Sequence, residues 1–418
     1  MLFFELLQIA IGNRKELSRT PTAEEWRELF VLAQRQTLVG IAFRGVELLS
    51  EAQRPPKSLL MQWYMATERI KAMNTDLDRK ALAVANKFLS EGFPGVVLKG
   101  QGISKLYILR DDENDDENEN QPSRREKLTL ASTSTLGVYR TPGDIDIWLH
   151  GERKDILKYV RRHVPDCKPV YHHVDFPVIE GLDIEVHFTP SWMNSPFTNR
   201  RLQRFFKGYG LRVKSCGAAV NRDCVAGEGL RVNCTEGTLT SSEATINRSV
   251  AAFTHYSEIP SPSLTFNRVY ILVHIYRHLF HEGIGLRQLL DYYFVLHQGF
   301  TEEERAETMR TLHSLRMGRF TAAVMWVLQE VYGMDDRYLL TAPNEKEGRF
   351  LLNEIMLAGN FGHYDERMQH ERGESALHWG LRKVKRNFRF VRSYPSEVLW
   401  SPLFKLWHWV WRKRFQRG

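Results

Sequence analysis

The sequence predicts an α+β protein, a small mixed sheet forming a core flanked by N-terminal and C-terminal helical regions. Three observations predict it. Apolar residues recur at three- and four-residue intervals before residue 90 and again after residue 254, as in helices that bury one face. Between these regions lie short β-branched runs bounded by glycine, which read as strands. Two stretches of skewed composition, one acidic and one rich in small polar residues, interrupt the middle of the chain.

In FVLAQRQTLVGIAFRGVELL (30–49) the helical spacing is sustained, and Pro55-Pro56 interrupts it. A long helical stretch follows through MQWYMATERIKAM to ALAVANKFLSEG, ended by Gly92 and Pro94. Residues 1–90 are therefore an expected N-terminal helical region. GVVLKG (95–100) reads as a buried strand ending at a glycine, and QGISKLYIL as a helix after it. DDENDDENENQPSRREK and the following LTLASTSTLG mark about 111–137 as an inserted, disordered acidic loop. IDIWLH (145–150) is a second strand and KDILKYVRRHV a helix; HVDFPVIEGLDIEVHF (173–188) is a hairpin turning at Glu180-Gly181. Residues 91–207 thus form the α/β core. Residues 208–250 are an irregular insertion or linker, and 251–418 a C-terminal helical domain with a basic, aromatic tail.

With 43% hydrophobic residues in 418, the chain can bury a sizeable core, which excludes a mostly disordered protein. No apolar stretch reaches the roughly 20 residues that span a bilayer. The first residues, MLFFELLQIAIGNRKEL, contain Glu5, lack a basic start and show no small-residue cleavage site, so they read as an amphipathic helix rather than a signal peptide. Cys167, Cys216, Cys224 and Cys234 form no C-x-x-C pair, and a cytoplasmic location is expected. The net charge of +8 fits phosphate-rich partners, but its excess sits between Arg382 and Arg417, opposite the acidic run at 111–119. Such a balance alone does not identify a nucleic-acid binder.

The chemistry concentrates in RTPGDIDIWL (140–149). Residues two apart on a strand share a face, so Asp144 and Asp146 point one way while Ile145 and Ile147 enter a packed layer. LDIEVHF repeats the pattern, with Asp183, Glu185 and His187 on one side. If the two strands are neighbours, Glu185 approaches the aspartates, and clustered carboxylates need a counter-charge. Hard cations such as Mg²⁺ or Mn²⁺ supply one. The competing reading is two amphipathic strands with solvated outer faces. In LKGQG (98–102), Gly100 and Gly102 follow a strand, where backbone N–H groups can cradle a phosphate and Lys99 or Arg140 can add positive charge.

These residues carry a resemblance. The motifs Leu98-Lys99-Gly100, Arg140-Thr141-Pro142-Gly143-Asp144-Ile145-Asp146 and Glu185-Val186-His187, with HLFHEGIGLRQLLD (278–291), resemble a bacterial family of uncharacterised nucleotidyltransferases. That family lies within the DNA polymerase β-type superfamily. The resemblance implies a nucleotidyltransferase core and metal-dependent transfer of a nucleoside monophosphate from an NTP such as ATP, with pyrophosphate released. Asp144, Asp146 and Glu185 would be the catalytic, metal-ligating residues. Lys99, Gly100, Gln101, Gly102, Ser104, Arg140 and Gly143 would contact the nucleotide, with His187, His278 and Arg287 as further substrate candidates. The acceptor class stays open among a protein side chain, RNA, a sugar phosphate or a small molecule. Two departures stand out: Gln101 replaces the serine usual after the first glycine, and Gly100 and Asp144 lie far apart unless the acidic insertion is set aside. The alternative is a nucleotide-binding or regulatory module of the same fold that has lost turnover.

Other candidates compete. His274, His278 and His281 fall at i, i+4 and i+7, one helical face, a spacing zinc can use. Packing, or hydrogen bonding to substrate, is the preferred reading. Arg287 and Asp291 are placed to pair along a helix surface. His172 and His173 read as structural. The tail SPLFKLWHWVWRKRFQRG (401–418) could dock on a membrane surface or bind RNA. The preferred reading is a last helix with its aromatic side, including Phe404, Trp407, Trp411 and Phe415, inward and its basic side wet.

Overall fold

The computed structural model describes residues 1–108, 136–216, 255–365, 367 and 375–415. Helix α1 (Leu2–Ala10) is almost wholly buried. α2 (Ala23–Arg35) begins with a reciprocal cap: the Thr22 hydroxyl accepts from the Glu25 N–H and the Glu25 carboxylate accepts from the Thr22 N–H. α3 (Val39–Leu48) crosses α1 closely because Gly45 has no Cβ, which would stand 2.4 Å from the Leu6 carbonyl oxygen. The 34-residue α4 (Lys57–Ser90) then runs to the sheet.

Strand β1 (Gly95–Val97) pairs antiparallel with β2 (Ile145–Leu149), and α5 (Arg153–His163) follows β2. β3 (His173–Asp175) and β4 (Ile184–His187) form the predicted hairpin, with Gly181 at a φ of +70° in its connection. β4 pairs parallel with β2, and the order across the sheet is β1-β2-β4-β3. The period-two alternation sends Ile145, Ile147 and Val186 into a core with Phe88 of α4 and Ile156 and Tyr159 of α5. It sends Asp146, Trp148, Glu185 and His187 to the other face.

That second face is covered by helices. α6 (Pro196–Cys216) follows β4, and α7 (Leu264–His281), capped by the Ser263 hydroxyl, lies against the sheet with Phe266 stacked on Trp148 at 5.7 Å. α8 (Leu286–His297), α9 (Glu302–Ser314), α10 (Gly318–Tyr332) and α11 (Glu345–Ala358) build outward, followed by α12 (Ala376–Phe388) and α13 (Pro395–Phe415). The first ninety residues and the C-terminal helices share one core: Phe3, Leu6 and Trp63 belong to the same buried cluster as Tyr270, Leu289 and Phe320. Asn13 ties the two together by donating to the Tyr332 carbonyl at 2.6 Å.

Three local expectations change. The segment after β1 is not a helix but two 3₁₀ turns, Gly100–Gly102 and Ser104–Leu106. The Gly102 backbone lies on β1, where a Cβ would sit 2.0 Å from the Val97 carbonyl oxygen, and that contact holds the chain in a tight turn. The acidic insertion was expected to reach residue 137, yet Leu136–Tyr139 form a 3₁₀ turn with Leu136 and Gly137 buried against the Ser104 segment; residues 111–135 lie outside the described residues. Residues 208–216, expected in the irregular stretch, instead continue α6 to Cys216; residues 217–250 lie outside the described residues.

Candidate active site

On the two central strands Asp146 and Glu185 are register partners, and His187 follows Glu185 on the same face. The His187 Nε2 lies 2.9 Å from an Asp146 carboxylate oxygen and 3.2 Å from one of Glu185. The edge strand adds His173, whose Nδ1 is 3.0 Å from the same Glu185 oxygen. Asp144, one residue before β2, joins through Lys99: the Lys99 Nζ is 2.9 Å from Asp144 and 2.8 Å from Asp146. The chain therefore supplies its own counter-charge to the carboxylates, with one ammonium and one imidazole.

The electrostatics follow from that geometry. Burial and the neighbouring Asp144 hold the Asp146 carboxyl above its ordinary range, although Lys99 and His187 oppose them. Burial also raises Asp144, but the Lys99 ammonium outweighs it and leaves the group below its usual value. For Glu185 burial is overcome by hydrogen bonds from His173 and His187, which hold it well below the carboxylate range. Burial would lower His187, but its bonds to Asp146 and Glu185 push it up to about 9. His172, beside them, is held neutral by burial and by the Arg277 guanidinium.

A cavity of about 500 Å³ opens onto this face, lined by Asp144, Glu185, Arg287, Thr37, Asn360 and Phe361 among others. A much smaller recess shares Asp144 with it and includes Lys99, Gly100, Arg140 and His274. The residues fit a divalent cation. Asp146, Glu185 and His187 present ligand atoms within 4.8 Å of one another. The buried Oδ2 of Asp146 meets the Lys99 ammonium at 2.8 Å, so that position already holds a positive charge. Oxygen donors with one imidazole suit Mn²⁺ as well as Mg²⁺.

The remaining candidates divide. Gly100, with a φ of +56°, and Gly143 line the recess. Gln101 turns away, donating to Asp78 at 2.6 Å, and Ser104 donates to the Gln101 carbonyl within the turn. Gly102 serves the close approach to β1 described above. Arg140 holds Asp291 in a two-pronged pair at 2.7 and 2.8 Å, where the Tyr107 hydroxyl also donates. Its charge is thus matched within the protein, and it fixes the loop carrying Asp144 onto α8. The expected surface pairing of Arg287 with Asp291 is replaced: both are buried, and Arg287 donates to the Thr141 carbonyl at 2.9 Å. Burial and the adjacent Arg140 lower Arg287 to about 10, so it remains a cation.

His278 bonds Glu282 at 3.0 Å and lies against Arg277. Among the described residues His274, His278 and His281 form no ligand group; His274 faces the recess, while His281 lies against Trp192. His173, read as structural, stands in the carboxylate cluster, because strand pairing brings it beside Glu185. Phe361, Asn360 and Thr37 were not visible as site residues, since no local pattern marks them. One signal was present: the glycines of GNFG (359–362) and of EGIG (282–285) suit two backbones in contact. A Cβ at Gly362 would stand 2.0 Å from the Glu282 carbonyl oxygen, and one at Gly285 3.0 Å from the Asn360 Cα. Phe361 and Thr37 both adopt positive φ, +52° and +57°, and such strain concentrates at functional sites.

Residues 22–108 and 230–333 match the model of an uncharacterised nucleotidyltransferase family. The first block ends just past the Lys99–Gly102 turn and the second contains α7, α8, α9 and α10; Asp144, Asp146 and Glu185 lie between the blocks. No curated protein and no solved structure matches the chain.

Proposed function

We propose that this protein belongs to that nucleotidyltransferase family and transfers a nucleoside monophosphate from an NTP to an acceptor hydroxyl, using Mg²⁺ or Mn²⁺. The family match over those two blocks supports NTP-dependent transfer in general. One observation carries the finer reading: Asp146 and Glu185 are register partners on adjacent parallel strands, and Glu185 opens with Asp144 onto a cavity of about 500 Å³. Asp144, Asp146 and Glu185 would hold the cation. When bound, it neutralises phosphate charge and activates the acceptor hydroxyl.

The chain's own residues do the rest. Lys99 and Arg287 offer positive charge to the triphosphate, and Gly100 in the recess and Gly143 beside both spaces keep side chains out of the wall. The acceptor oxygen forms a bond to the α-phosphorus as the bond to pyrophosphate breaks. The hydroxyl proton passes to a carboxylate of the cluster. Asn360 and Phe361, at the same cavity, bind the nucleobase, the ring by stacking.

The test is incubation with each α-labelled NTP, Mg²⁺ or Mn²⁺ and cell lysate as acceptor source, beside the double variant Asp144→Asn/Asp146→Asn. Label transfer with pyrophosphate release, reduced at least ~10²-fold in the variant, supports the enzyme. Silence with every nucleotide, together with no metal-dependent nucleotide binding, refutes it.

A further inference from the structure

Of the twenty large apolar residues exposed among those described, nine lie on α12 and α13. Leu399, Leu403, Leu406 and Val410 of α13 follow a 4-3-4 spacing that aligns them on one helix side, and all are exposed, Leu406 by 61%. Trp409 is exposed beside them. On the preceding helix, α12, Leu381, Val384 and Phe388 repeat the arrangement at 3-4 spacing, and Phe388 is 64% exposed. The opposite side of α13 is the anchored one: Phe404 stacks on Trp192 at 6.0 Å and Trp411 receives the Arg153 guanidinium at 4.5 Å. The expectation of an aromatic inner side and a basic outer side is therefore corrected in part, because the outer side carries leucine and valine as well as cations.

Charge accompanies that apolar stripe. Residues 381–417 contain eleven Lys or Arg and a single acid, Glu397. Glu397 is buried, accepting from the Asn194 backbone N–H at 2.9 Å, so it neutralises nothing at the surface. Arg386 and Arg389 turn inward to Asp365 and Glu354. Lys385, Arg412 and Lys413 stay exposed, and the Lys413 ammonium lies 3.8 Å from the centre of the Trp409 ring. Such a surface needs a partner that is apolar and anionic at once. A second copy of this chain would bring the same positive excess and be repelled. A nucleic acid would match the charge but offer nothing aliphatic to the leucines. Among the described residues no helix is long and apolar enough to cross a membrane, so these helices have the length and composition to lie on a bilayer rather than span it.

We propose that α12 and α13 form a docking surface for an anionic lipid bilayer, with the leucine stripe entering the headgroup boundary and the cations pairing with lipid phosphates. The surface stands independently of the chemistry proposed for the carboxylate cluster. It would hold the nucleotide site close to a membrane.

The test uses the full chain with vesicles of phosphatidylcholine alone and vesicles in which about a third of the lipid is phosphatidylglycerol. Co-sedimentation with the anionic vesicles and not the neutral ones is expected. The triple variant Leu403→Glu/Leu406→Glu/Trp409→Glu should abolish it, and Arg412→Gln/Lys413→Gln should weaken it roughly thirtyfold, from about 1 kcal/mol per cation near the surface. These residues are exposed, so circular dichroism and metal-dependent nucleotide binding of the variants should match the parent. Failure to bind anionic vesicles, equal binding to both vesicles, or binding that survives the triple variant overturns the proposal. So does lipid-free self-association, by analytical ultracentrifugation, that the same substitutions remove.

Discussion

Replacing Lys99 by methionine removes the ammonium that lies 2.9 Å from Asp144 and 2.8 Å from Asp146 while keeping most of the side chain's volume. The Asp146 side chain is only 2% exposed and that of Lys99 15%, so water restores little of the lost stabilisation. Removing one partner of a buried ion pair costs about 3–5 kcal/mol, because the other charge stays buried without compensation. Proton uptake by Asp146 limits that cost, since its carboxyl is already held above the ordinary range. The Lys99→Met protein should therefore melt several degrees lower at pH 7 than its parent and recover part of the difference in mild acid. A divalent cation should recover it as well. At a hundredfold excess over its dissociation constant a bound ion contributes ~2.7 kcal/mol, and in the variant it no longer competes with the ammonium. Thermal unfolding with and without Mn²⁺, together with titration calorimetry, reads both effects. A variant that is destabilised but gains no more from Mn²⁺ than the parent would refute the claim that Lys99 occupies the place of a metal charge. An unaltered melting temperature would show that the ammonium is not what stabilises the carboxylates.

Three further outcomes are expected. Burial pushes Glu397 up to about 7 from an ordinary 4.5, so the native state holds a proton that the unfolded chain releases. The stability this group contributes is complete below pH 4.5 and lost as pH rises through 7, amounting to about 3 kcal/mol; Glu397→Gln should flatten that part of the pH profile of urea unfolding. Phe361→Ala should weaken ATP binding by about 1–3 kcal/mol while leaving inorganic tripolyphosphate binding unchanged, as measured by calorimetry in Mn²⁺; equal losses for both ligands would remove the stacking role. Arg140→Met alone should destabilise by about 3–5 kcal/mol, and Arg140→Met/Asp291→Leu should recover most of it in thermal unfolding, because the pair is costly to break and cheap to replace.

Where a pattern is local the sequence announces it. The alternation in GDIDIWL and LDIEVHF showed which residues share a face, and the β4 hairpin and long flanking helices were legible from spacing and glycines. The family match agrees with the motif at Lys99–Gly102, although it does not cover the acidic strands between its two blocks. The helix expected after Gly100 failed because a packing contact, Gly102 on Val97, decided that turn. The His274, His278 and His281 spacing was real and the His274 and His278 rings meet at 4.3 Å, but among the described residues the three form no ligand group.

The sequence by itself determined the elements, the faces their residues take and the acids that stand together on each strand, since those depend on periods of two and 3.6 residues along the backbone. Only the tertiary structure decided the partners: Lys99 between two aspartates, His173 and His187 on Glu185, Arg140 on Asp291, and Phe361 at the mouth of the cavity. Arg140 and Asp291, for example, stand 151 positions apart. These meetings are set by which strands pair and by how α7 and α8 close over one face of the sheet, a matter of shape and burial that no local spacing encodes.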